Sequence, residues 1–133
     1  MFKIRKLIVT NNKKLSCPDF NIVKVEGNFL DVLYKTRDLI HLGYKLISHP
    51  LGASMRIMHS PVRSILMSNH VGSIDEESLE IIESSIEKYK ISMGERTIDA
   101  RNINDYELID YELLKSAIRE NDFINSIIKN NNI

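Results

Sequence analysis

The sequence predicts a single α/β domain over residues 1–133, three layers deep, with a mainly parallel sheet of four or five strands. Short apolar runs such as Leu7-Ile8-Val9 alternate with amphipathic stretches of helical period. From Val23 to Ser54 the chain reads without a break as strand, capped helix, strand and polar loop, the order of a right-handed crossover between parallel neighbours. A chain of 133 residues also buries about two thirds of the surface exposed by its unfolded form, enough for one core without a disulfide or metal.

Lys3 to Thr10 is apolar until Thr10-Asn11-Asn12 ends it, the pattern of a strand buried on both faces. Lys13 to Asp19 is a connection broken by Pro18, and Asn21 to Val25, rich in β-branched residues, is the second strand. Asn28 can cap the first helix, with Asp31 placing a carboxylate in its first turn. Phe29, Leu33, Thr36 and Ile40 form its buried stripe, and Gly43 is placed to end it in the left-handed conformation. Tyr44 to Ser48 is the third strand, His49 to Pro61 a long loop, and Arg63 to Ser68 the fourth strand.

Ser73-Ile74-Asp75-Glu76 opens a helix that runs to about Lys90 and buries Leu79, Ile82, Ile86 and Tyr89. Tyr106 to Ile109 is either a fifth, edge strand or the first turn of a helix running onward. Asp110 can cap a last helix over about 110–129, with Leu113, Leu114, Ala117 and Ile118 facing inward; Phe123, Ile124, Ile127 and Ile128 extend or restart it. No internal repeat or linker divides the chain, and the whole order is Rossmann-like.

A hydrophobic fraction of 43% with 27% charged residues excludes fibrous and disordered classes. Cys17 is the only cysteine, so no intrachain disulfide forms, and His41, His49, His59 and His70 lack zinc-site spacing. No metal or cofactor is expected. The apolar run after the basic start is too short for a signal peptide, and nothing approaches a membrane span, so a cytoplasmic location is expected. Net charge is zero, yet residues 1–70 carry 11 Lys or Arg against 4 Asp or Glu (+7) and residues 71–133 carry 7 against 14 (−7). The halves either fold against one another or guide association into a homo-oligomer. No basic run with interleaved aromatics marks a nucleic-acid groove.

In an open parallel sheet, ligands sit at the carboxyl ends of the strands. Those ends supply the ligand-binding candidates Thr10, Asn11, Asn12, Gly27, Asn28, His49, Gly52 and Ser54, with Glu26 and the Ser68-Asn69-His70 segment nearby. The N-terminus of the first helix at Asn28 can receive an anion, although Asp31 already uses part of its field. His49 is either an acid/base group, with Ser54 and Asp31 completing a catalytic set, or a side chain that fixes the Pro50 loop by hydrogen bonds. Cys17 has no neighbouring base in sequence and reads as an inert thiol.

Glu-Gly-x-Phe-Leu-Asp-Val-Leu at Glu26–Leu33, Arg37-Asp38-x-Ile40-His41-x-Gly43, His49-Pro50-Leu51 and Ser60-Pro61-x-Arg63-Ser64 resemble the GrdX family, small proteins encoded with glycine reductase in amino-acid-fermenting anaerobes. The resemblance covers roughly residues 6–90. In the loop the chain departs from it: the family pattern has glycine directly before the serine and a polar, proline-containing stretch after it, where this chain has Ala53 and Met55-Arg56-Ile57-Met58-His59. The resemblance implies an accessory protein that binds a glycine reductase component or a small anionic metabolite. The alternative is a small hydrolase or transferase using His49.

Overall fold

A computed structural model describes residues 5–52, 59–69, 72–94 and 96–131. The elements run β1 (Leu7–Thr10), β2 (Asn21–Lys24), α1 (Phe29–His41), β3 (Ser64–Met67), α2 (Glu76–Met93) and α3 (Ile103–Asn131). Alternate residues of β1 and β3 point to opposite faces of the sheet. Leu7, Val9, Ile65 and Met67 join the larger core with Phe29, Val32, Leu33 and Ile40 of α1 and Ile82, Ile86 and Tyr89 of α2. On the other face, Ile8 and Leu66 meet Leu114 of α3.

The mainly parallel, four- or five-stranded Rossmann-like sheet expected from the sequence is not what forms. Among the described residues the sheet has three strands in the order β2-β1-β3. β1 pairs parallel with β2 but antiparallel with β3, Thr10 lying opposite Ser64 and Leu7 opposite Met67. A strand buried on both faces carries the same apolar run whichever way it points, so periodicity reports its burial and not its direction.

The expected third strand, Tyr44 to Ser48, contributes only an isolated bridge between Leu46 and Met67. Side-chain hydroxyls replace its ladder partners: Lys45 N–H donates to Ser68 Oγ and Leu46 N–H to Ser78 Oγ, while Ile47 and Ser48 N–H share Leu66 O. Because Leu46 pairs antiparallel with β3, this segment points the same way as β1 and β2. The crossover through α1 therefore ends beyond β3, not beside a parallel neighbour.

Asn28 and Asp31 form a reciprocal capping box on α1, and Gly43 follows its end at φ +103°. α2 is capped two residues after the expected start, by Asp75, whose carboxylate accepts from Ser78 N–H and Oγ–H. Residues 106–109 lie within α3 and form no edge strand, and Asp110 is not its cap. It is buried in the helix interior, where its partners are Asn12, just past β1, and Ser64 of β3. The apolar cluster from Phe123 to Ile128 continues α3 but stays exposed.

Candidate functional site

The antiparallel direction of β3 decides what gathers at the sheet edge. The ends of β1 and β2 and the 46–49 segment meet there, joined by the start of β3, whereas Ser68 and Asn69 lie at the opposite edge. His70 and Ser54, like the rest of 53–58, lie outside the described residues.

Most of the polar residues picked out by the sequence are spent on holding this edge together. Thr10 Oγ1 lies 2.7 Å from Ser64 Oγ and accepts from Asn12 N–H. Asn12 donates to Glu107 O and to Asp110 Oδ2. Asn11 staples two loops, donating to Gly27 O at 2.9 Å and Pro61 O at 2.7 Å while accepting from Arg63 N–H. Gly27, at φ +133°, passes so close to Asp31 that a Cβ would strike its carboxylate. Asn28 and Asp31 are occupied with one another.

Three residues that were not among the expected site residues, Asp110, Arg63 and Ser64, organise the site. Asp110 of α3 takes Ser64 N–H at 2.7 Å, Ser64 Oγ–H at 2.6 Å and the Asn12 amide at 3.1 Å. Arg63, only 5% exposed, donates through Nε to Pro50 O at 2.8 Å and through Nη2 to His49 O at 2.6 Å. Burial lowers its pKa from the ordinary value and the Asp110 charge opposes that effect; the guanidinium keeps its charge. The signal for Arg63 and Ser64 was present, a lone cation at the entry to an apolar strand.

Beside this cluster a cleft of about 440 Å³ opens between the 47–52 segment, the start of β3 and α3. Ser48, His49, Arg63 and Ser64 line its sheet side, and α3 lines the other with apolar Leu113, Ala117 and Ile124 interspersed with Ser116, Glu120 and Asn121. The volume lies within the ordinary range for small-molecule sites. A smaller cavity of about 270 Å³ on the α2 side shares Ile47, Ser48 and His49 but has Asp75 and Glu77 in its wall.

His49 borders both spaces. Its Nδ1 accepts from Leu51 N–H at 3.1 Å, so in the neutral ring the proton sits on Nε2. Partial burial first, then the charges of Arg63 and Lys88, holds its pKa below the ordinary imidazole value. The nitrogen with the free electron pair is thus tied to the loop, leaving Nε2–H as a donor. Asp31, engaged at the cap of α1, does not line the cleft that His49 borders. Burial and Asp19 raise the Cys17 thiol, disfavouring the nucleophilic thiolate. Among the described residues no group of three or more His, Cys, Asp or Glu is arranged for a metal ion, and no helix is long and apolar enough to cross a membrane.

Residues 7–119 match the family model described as GrdX-like protein. No curated protein and no solved structure matches the chain. Since the matched region takes in both the polar edge and α3 as far as Arg119, the chain belongs to the GrdX-like family.

Proposed function

We propose that the protein is a non-catalytic accessory protein of glycine reductase metabolism that binds a small anionic metabolite in the cleft beside α3. The observation that carries this reading is the buried Arg63 in the wall of a cleft whose α3 side is mixed, with Leu113, Ala117 and Ile124 beside Ser116, Glu120 and Asn121. A buried cation attracts a carboxylate or phosphate more strongly than an exposed one, because less water screens it. Ser48 and His49 Nε2–H add polar groups near the anion, across the cleft from Glu120, and the apolar Leu113, Ala117 and Ile124 accept the rest of the ligand. The link to glycine reduction rests on the family resemblance.

The test is thermal denaturation with amino acids, small carboxylates and phosphorylated metabolites, on wild type and on Ala117→Trp, which fills the cleft from the α3 side. A ligand at about 100 times its Kd adds roughly 2.7 kcal/mol, several degrees for a domain of this size. The expected result is a shift with an anionic compound that Ala117→Trp abolishes. A panel that shifts neither protein removes the support for this reading.

A further inference from the structure

α3 carries a second stripe that the fold leaves uncovered. Ile109, Leu113, Ser116, Glu120, Phe123 and Ile127 follow one another at intervals of four, three, four, three and four, the heptad spacing that keeps one face of a helix toward another helix. At 100° per residue this stripe lies roughly 140° around the helix from Asp110, Leu114 and Ile118, the side turned to the sheet. Ile109, Phe123 and Ile127 are 49%, 67% and 43% exposed, a row of large apolar side chains that marks an interaction surface.

We infer that this stripe pairs with the same stripe of a second copy of the chain, the two α3 helices running antiparallel about a two-fold axis that passes the stripe at the height of residue 118. In a two-fold interface each contact occurs twice, residue i against j and j against i. Centred at Ile118, the pairing sets Leu113 against Phe123, Ile109 against Ile127 and Ser116 against Glu120. Apolar layers then meet apolar layers on both sides of two symmetry-related polar layers. A parallel, in-register pair would instead press Glu120 against Glu120 in the middle of the seam, an arrangement of like charges that costs stability.

Charge favours the antiparallel choice as well. Arg119 is exposed beside the stripe and comes within three residue rises, about 4.5 Å along the axis, of Glu120 in the second copy. The layers from Ile109 to Ile127 extend over roughly 27 Å of helix. Leu113, Ser116 and Glu120 also border the cleft, so the second copy covers part of its open side. The pairing does not depend on whether the cleft holds a metabolite.

The full chain is tested by light scattering across a dilution series, alone and as the Phe123→Glu/Ile127→Glu variant. Both positions are exposed, so the variant's thermal melt serves as a control for folding. Wild type is expected at twice the 15.4 kDa chain mass, and the variant at the chain mass. Orientation is read in a Cys17→Ser background. An equimolar mixture of Ile109→Cys and Ile127→Cys proteins forms a mixed disulfide on oxidation, and Ile109→Cys alone does not. Three outcomes overturn the inference: a wild-type monomer at every concentration, a dimer that survives the double substitution, or Ile109→Cys cross-linking to itself.

Discussion

Asp110 accepts two hydrogen bonds from Ser64 and one from Asn12 while remaining almost fully buried. It fixes α3 against β3 and helps balance the buried charge of Arg63. Replacing it by Ala leaves three donors without their acceptor, each costing about 1–3 kcal/mol when buried and unpaired. Asp110→Ala is therefore expected to lose at least about 3 kcal/mol in a urea titration, with Asp110→Asn intermediate because its amide keeps one acceptor. A loss below about 1 kcal/mol would mean that the cluster does not order this edge. Asp110 was legible as an aspartate near the start of a helical pattern, which is how a cap reads. Its true role depends on Ser64, 46 positions earlier, and local sequence does not contain that pairing. Thr10, Asn11 and Asn12 were legible as polar residues at a strand end, but their polar groups serve the fold because Pro61 to Ser64 arrives beside them.

At the scale of elements, what is local was readable. The capping box of α1, its buried stripe, the stripe of α2 and the helix-ending glycine all follow from spacings of three and four residues. Gly43 is required twice over: its φ of +103° is rarely adopted by residues with a Cβ, and a Cβ there would run into the backbone of Gly72. Gly43→Ala is expected to cost more than about 1 kcal/mol, read as a lowered Tm with unchanged helix content. An unchanged Tm would show that the 72–74 turn can move aside. The strands were less readable. Tyr44 to Ser48 has the composition of a strand, yet Ser68 and Ser78 hydroxyls take two of its N–H groups. Such competition is decided by residues far away in sequence.

For the whole molecule, the opposed charges of the two halves are drawn together in part by folding: Lys14 meets Glu107, and Arg37 meets Glu83. These pairs are exposed on at least one side and add little to stability. The uneven distribution of burial along α3 matters more. Glu107, Asp110 and Leu114 are buried, but no described residue after Leu114 is, although the helix continues to Asn131. Local opening of a helix costs less where its side chains bury nothing. In dilute solution the amides beyond Asn121 are expected to exchange hydrogen much faster than those around Leu114. Raising the concentration to where a second copy binds should slow exchange through Ile127 and leave Leu114 unchanged, because only the outer stripe gains a partner. Phe123→Glu/Ile127→Glu should remove the concentration dependence. If the end of α3 is as well protected as Leu114 at the lowest concentration, the monomer itself holds that end and the stripe has no need of a partner.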